Sequence, residues 1–407
     1  MASSNKKIGI VHYRAGRTDG VSLEMEKRKS ILESMGYDVR VISGPVQSNS
    51  DFVIQALEFD TPEIREIKEN SFAYFGRSSL NAATLMNRIS SVSQEIEESF
   101  WEYQRRENLD ALLVHNIYSH GRHIAAASAF TRIAEKLDGP IIATNHDYYW
   151  ERMEYQQPAY PEIESYLSEY VPPDLPNVTH VCINSLAQKG LRALKGIDSV
   201  VFPDIFDFQQ PEWKKDEFNA DFLESFGLNE DDLIVLQATR IVERKGIELA
   251  IRFVRELSKQ RGQLAGKTLY NGKTLSGKSR VVFLLPGYAE ESAKPYLKKL
   301  EDEIKRTGIT AKFIHASIGA KRETFPYKKY SLWDAYVYAD LVSYPSLFEG
   351  WGNQFIEAVF AKKPVVLFEY PVFKADIRAE GYHYISLGDH TTPPDENGLV
   401  SDRKSVV

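Results

Sequence analysis

The chain has 407 residues, 43% hydrophobic and 26% charged, with a formal net charge of −7 at pH 7. That length favours two domains of roughly 200 residues each over a single core, and the acidic balance argues against nucleic acid, whose binding needs a concentrated basic face. The one cysteine, Cys182, excludes an intrachain disulfide or a cysteine-rich zinc site, suits a reducing compartment, and reads as a small buried hydrophobe on a strand.

The opening MASSNKKIGIVHY has neither the organisation of a signal peptide nor the length of a membrane span, so a cytoplasmic location is expected. From there, short β-branched runs alternate with helix-length amphipathic segments, the pattern of a parallel sheet with crossover helices. Strands are predicted over 7–13, 37–43, 111–117, 140–145, 179–184 and 199–203, with helices over 22–36, 81–106 and 123–139. The first and third helices end on glycine, Gly36 and Gly139, which suits the left-handed residue after a helix.

Residues 206–229, acidic, aromatic and polar, interrupt the alternation, so a boundary is predicted within 203–213, giving domains over 1–208 and 209–407. A fresh series follows: strands over 232–239, 280–287, 311–317, 340–346, 364–370 and 384–388, with helices over 246–260, 292–308, 331–339 and 353–363. The Gly/Lys/Ser-rich stretch 266–279 reads as a solvent loop or flap, and Asp231-Asp232 as a solvated turn. A further helix is expected after 384–388, and the terminal TTPPDENGLVSDRKSVV does not carry one.

In such sheets ligands bind beyond the carboxyl ends of the strands. Four segments occupy that position. The loop 15–22 contains Gly20 but lacks the full G-x-G-x-x-G fingerprint, which disfavours a dinucleotide. His146, within Asn145-His146-Asp147, can face a crevice and bond a sugar hydroxyl, or be a satisfied structural histidine. Arg240 and Lys245 flank a turn into a helix, where they either neutralise a leaving diphosphate or are ordinary surface charges. In Glu349-Gly350-Trp351-Gly352-Asn353-Gln354, free amides at a helix start and two glycines can approach a phosphate. Glu349 and Glu357 can each accept paired hydrogen bonds from vicinal hydroxyls; equally, they are an acid near a helix N-terminus and a solvated helix position. No metal-ligand spacing is present, so no metal or further cofactor is expected.

The run LVSYPSLFEGWGNQFIEAVFAKKPVV, with Ala339-Asp340 before it, resembles the donor-binding segment of the family 4 retaining glycosyltransferases, and ATRIVERKGIELA resembles a second motif of that family. The resemblance implies a GT-B fold, two Rossmann-like doubly wound domains facing a central cleft. It implies that Glu349 contacts the donor sugar, Glu357 the ribose, and amides around Gly350, Gly352, Asn353 and Gln354 the diphosphate. Arg240 and Lys245 would clamp the diphosphate, His146 would meet the sugar at the reaction centre, and Gly20 would lie against acceptor or donor. Thr239 stands where the family has glycine, Asn353-Gln354 where it has an apolar pair, and Asp19 where it has the first of two glycines. The implied reaction moves a hexosyl group, with retention, from a GDP-mannose or UDP-glucose type donor to a hydroxyl of a soluble small sugar or sugar-acid acceptor. A nucleotide-sugar epimerase and a non-catalytic nucleotide-sugar-binding protein are the alternatives. The acidic polar positions of helix 81–106 argue against an anionic membrane as docking surface. The aromatic-rich 146–174 can stack on sugars, though packing explains it as well.

Overall fold

The computed structural model describes residues 6–16, 20–45 and 50–391. The chain divides into two compact units, Met1–Ile205 and Phe206–Val407. In the first, the strands are β1 (Lys7–Val11), β2 (Asp38–Ser43), β3 (Phe52–Val53), β4 (Ala111–His115), β5 (Ile141–Asn145), β6 (Val178–Cys182) and β7 (Ser199–Val201). They form one parallel sheet in the order β3-β2-β1-β4-β5-β6-β7, with Ile10 flanked by Val41 and Leu113. The helices are α1 (Gly20–Ser34), α2 (Pro62–Ser71), α3 (Ala82–Glu107), α4 (Ile124–Lys136), α5 (Pro161–Tyr170) and α6 (Ser185–Lys195).

The second unit repeats the plan. Its strands β8 (Leu233–Leu236), β9 (Val281–Leu285) and β10 (Thr310–Phe313) precede a separate two-stranded ladder, β11 (Ile318–Gly319) with β12 (Tyr330–Ser331). Strands β13 (Leu341–Tyr344), β14 (Val365–Leu367) and β15 (Ile385–Ser386) complete a parallel sheet ordered β10-β9-β8-β13-β14-β15. Its helices are α7 (Phe222–Ser225), α8 (Ile247–Lys259), α9 (Arg261–Leu264), α10 (Lys294–Thr307), α11 (Leu332–Tyr338) and α12 (Asn353–Phe360). Every residue of β8 and β9 is buried, as strands covered on both faces require. Among the described residues no helix is long and apolar enough to cross a membrane.

Several local expectations need correction. Gly36 does adopt the left-handed conformation (φ +90°), but helix α4 ends at Lys136, and Gly139 serves a close approach: a Cβ there would sit 2.2 Å from the Asp110 carbonyl. Helix α3 is closed instead by left-handed Asn108. Strand β3 has only two residues, too short for any periodicity to reveal. Residues 206–229, which interrupt the alternation, carry an aromatic seam within the second unit: Trp213 stacks on Trp333 at 4.3 Å and Phe222 on Tyr338 at 5.0 Å.

Asp232 is fully buried and takes two hydrogen bonds from the Arg280 guanidinium, so it is no solvated turn. Stretch 266–279 is tethered: Lys273 Nζ donates to Asp340 Oδ2 at 2.7 Å, Asn271 to Asp340 Oδ1 at 2.9 Å, and Leu275 is buried in the core. Both features lie at the amino ends of β8, β9 and β13. In 146–174 the fully covered Tyr148 and the buried Tyr155 and Tyr166 pack the interior, which accounts for much of that aromatic density. Cys182 is buried in β6. Residues 392–407 and 17–19 lie outside the described residues, and with them the terminal tail and Asp19.

Candidate functional site

In the second unit, the turn 239–246 follows β8 and the segment 345–352 follows β13, neighbouring parallel strands. Two glycines press the turn into place. Gly246 has φ +58°, and a Cβ on it would sit 2.3 Å from the Pro345 carbonyl oxygen; a Cβ on Gly287 would sit 1.7 Å from the Thr239 oxygen. The Leu347 amide then donates to the Arg244 carbonyl at 2.8 Å.

This lock brings Lys245 against Glu349. The Lys245 ammonium donates to Glu349 Oε1, and Arg244 Nη1 donates to Glu349 Oε2 at 2.7 Å and to the Phe348 carbonyl at 3.0 Å. Burial pushes the Glu349 carboxyl up, but Lys245 and Arg244 outweigh it and hold its pKa at about 2. Burial lowers the Lys245 pKa, and the neighbouring Arg244 and Arg240 add to that against the pull of Glu349. Arg240 turns outward, with Nη1 2.7 Å from Glu290 Oε1 and its side chain 40% exposed. The two predicted clamp residues therefore differ: Lys245 is committed to a buried carboxylate, Arg240 to an exposed one.

Helix α12 begins at Asn353, and no side chain caps it. Gly352 leaves room for Tyr370, whose hydroxyl a Cβ would approach to 2.6 Å and which donates to the Trp351 carbonyl at 2.6 Å. Gln354 is buried in the first turn, and neither atom of its carboxamide has a hydrogen-bond partner among the described residues. At the end of β8, Gln237 Oε1 is likewise unpartnered. One turn beyond Asn353, the fully buried Tyr336 hydroxyl donates to Glu357 Oε2 at 2.8 Å. A helix start that no side chain caps and an unsatisfied carboxamide in one place suit a phosphate-bearing ligand.

In the first unit His146 follows β5. Its amide donates to Asn116 Oδ1 at 2.8 Å, its Nδ1 lies 3.4 Å from Asp204 Oδ1, and its Nε2 lies 3.4 Å from His115 Nδ1. Burial, with His146 and Arg28 adding, drives the His115 pKa well below its ordinary value. The Asp204 side chain, 8% exposed, lies beside the His146 ring. Gly20 is the exposed first residue of α1, with open space where a Cβ would be.

Sequence reasoning missed Arg244, Tyr336 and Asp204. Arg244 adjoins Lys245 and could have been weighed with it; the partners of Tyr336 and Asp204 come from distant segments, and nothing local signals them. Among the described residues no group of three or more His, Cys, Asp or Glu side chains is placed to hold a metal ion.

Residues 219–385 match the family described as glycosyl transferases group 1. The chain is similar to the mannosylglucosylglycerate synthase of Petrotoga mobilis, with 40% identity over 385 residues covering 94% of this chain and 86% of that protein. To the mannosylglucosylglycerate synthase of Thermotoga maritima the identity is 35% over 401 residues, covering 98% and 89%. In fold it is similar to sucrose-phosphate synthase from Thermosynechococcus elongatus, with a TM-score of 0.59 at 12% identity, covering 97% of this chain and 87% of that one. Two parallel α/β units with these similarities define a glycosyltransferase of the GT-B fold. The chain belongs to the group 1 glycosyltransferases, and within them stands near the mannosylglucosylglycerate synthases.

Proposed function

We propose that this enzyme transfers a mannosyl group, with retention, from a nucleoside-diphosphate mannose, GDP-mannose in the first instance, to a hydroxyl of glucosylglycerate. The observation that carries the donor half is the Lys245-Arg244-Glu349 cluster beside the uncapped N-terminus of α12. The names of the two similar synthases support the acceptor, a soluble sugar acid.

In this reading Glu349, held ionised, accepts hydrogen bonds from the donor hexose, and Glu357 accepts them from the ribose. Amides from Gly350 to Gln354 and the Gln354 carboxamide take the diphosphate, whose charge is balanced by Lys245, by Arg240 turned in from its exposed partner Glu290, and by the helix dipole without a divalent ion. The acceptor, assigned to the first unit with His146 and Gly20, attacks the anomeric carbon from the face the nucleotide leaves. The C–O bond to phosphate breaks as the new glycosidic bond forms, and the departing phosphate oxygen takes the acceptor proton. Lys245 and Arg240 stabilise the charge as it grows on that oxygen, where fixed cations lower the barrier most.

A thermal-shift panel of GDP- and UDP-sugars, followed by product analysis with glucosylglycerate after EDTA treatment, tests this. A GDP-sugar stabilises the fold by binding only the native state, and mannosylated product forms in chelator. Absence of any nucleotide-sugar shift removes the donor site, an epimer formed from donor alone replaces transfer with epimerisation, and loss of turnover in EDTA restores a metal.

A further inference from the structure

The first sheet changes direction between β1 and β4: the chain runs outward through β2 and β3 on one side and through β5, β6 and β7 on the other. Such a switch point opens a crevice at the carboxyl ends of its two strands. Tyr13 and Arg14 follow β1 there, and the turn His120-Gly121-Arg122 follows β4 and opens α4. Phe59 lies between these segments. The Arg14 guanidinium sits 3.8 Å from the Phe59 ring centroid and that of Arg122 4.5 Å from it.

Among the described residues the charges at this point do not cancel. Arg14 is neutralised by Glu58 at 2.6 Å, and Arg152 by Asp147. His120, buried, sits 3.9 Å from Asp147 Oδ2 and stays neutral, since burial pulls its pKa to about 3. Arg122 has no carboxylate partner among the described residues; it rests on Phe59 and beside the Tyr155 phenol. Its turn is fixed, because a Cβ on Gly121 would meet the Tyr155 ring at 2.6 Å. One half-buried guanidinium, seated on Phe59 and the Tyr155 phenol and with no carboxylate on its planar fork among the described residues, is complementary to one planar monoanion. A phosphate dianion would call for a second free cation, and Arg14 and Arg152 are both taken.

We propose that Arg122, seated on Phe59 at the switch point of the first sheet, binds the carboxylate of the sugar-acid acceptor and so selects acid over neutral acceptors. The proposal rests on the acceptor reading above and adds the residue that enforces it. Arg122 is in this proposal a binding residue, with no part in the bond that is made.

The test compares glucosylglycerate with neutral glucosylglycerol as acceptors for the full-length protein and its Arg122→Gln and Arg122→Lys variants, with melting temperatures to verify folding. The wild type favours the acid. Arg122→Gln lowers the acid-to-neutral ratio of kcat/KM by about tenfold to a hundredfold, the worth of a charge-assisted hydrogen-bonded pair, mainly through the acceptor KM. Arg122→Lys, which keeps the charge but loses the fork, retains part of the preference. Equal losses on both acceptors mark Arg122 as merely structural and overturn the proposal, as does a wild type indifferent to the carboxylate. If the wild type transfers to neither acceptor, the acceptor reading itself fails and takes the subsite with it.

Discussion

Lys245 and Glu349, 104 residues apart in the chain, meet as an ion pair with side chains only 12% and 10% exposed. Arg244 completes the contact from the other carboxylate oxygen. The proposed donor site therefore offers a ligand an ionised carboxylate already held in place by two cations, and that arrangement can be taken apart one charge at a time.

Removing Lys245 leaves the buried Glu349 carboxylate with Arg244 as its remaining cation, so the cost falls below the about 3–5 kcal/mol of a wholly unpaired buried charge. Lys245→Ala should therefore lower the denaturant midpoint and abolish transfer together. The double variant Lys245→Met/Glu349→Gln should recover most of the stability while remaining inactive. A double variant as unstable as the single one would show that the pair is not what the fold depends on.

Acid should unfold the protein in two stages. His123 and His120 have folded pKa values of about 4 and about 3 against 6.5 unfolded, because burial excludes their charged forms. The unfolded chain binds their protons first, so stability falls as pH drops below about 6.5, by up to roughly 1.4 kcal/mol per pH unit for each histidine. Glu349, depressed to about 2 from 4.5, contributes stability that is complete above about 4.5 and is lost as pH falls toward 2. Chemical denaturation from pH 7 to 4 checks the first stage. His120→Asn/His123→Asn should flatten it, and an unaltered slope would place the acid sensitivity elsewhere.

Glu357→Ala should raise the donor KM by about tenfold to a hundredfold if its carboxylate binds the ribose, with little change in the acceptor KM. Tyr336→Phe, which removes the phenol that donates to Glu357, should produce a smaller rise. Steady-state kinetics with donor varied at saturating acceptor decides it; identical effects on both substrates would point to general loosening of α12.

Alanine at two glycines should give opposite results. Gly287→Ala forces a methyl against the Thr239 carbonyl and displaces the turn that carries Arg240 and Lys245, so activity and melting temperature fall together. Gly20→Ala meets open space and should leave the melting temperature within about a degree of wild type, as surface substitutions away from packed features do. Any change in KM there then reports ligand approach to the start of α1.

The sheets were legible because runs such as VVFLL in β9 and LIVL in β8 are buried on both faces and can hardly be anything but central parallel strands. The motif residues Glu349, Glu357, Arg240 and Lys245 were legible as a resemblance, and their types in that spacing already suggested a polyol flanking an anion. The partners were not legible. Asp232 looks like a turn residue until Arg280, 48 residues on, is folded against it, and Gly139 looks like a helix cap until Asp110 is seen beneath it. Arg122 gave no signal at all, because its meaning lies in Glu58 and Asp147 having claimed the neighbouring cations. Local pattern reports what a residue can do; which option it takes is decided by contacts the pattern does not contain.

The ion pairs Asp232–Arg280 and Asp340–Lys273 fasten β8, β9 and β13 at their amino ends, while the proposed donor residues follow the opposite ends of β8 and β13. Part of the durability of this unit is thus encoded away from its loops, along the same strands. A lineage, or an engineer, can rewrite the loops after Leu236 and Tyr344 in search of a new sugar provided Lys245, Gly246 and Glu349 are kept, and a variant library confined to the other positions of those loops should yield a high proportion of folded proteins.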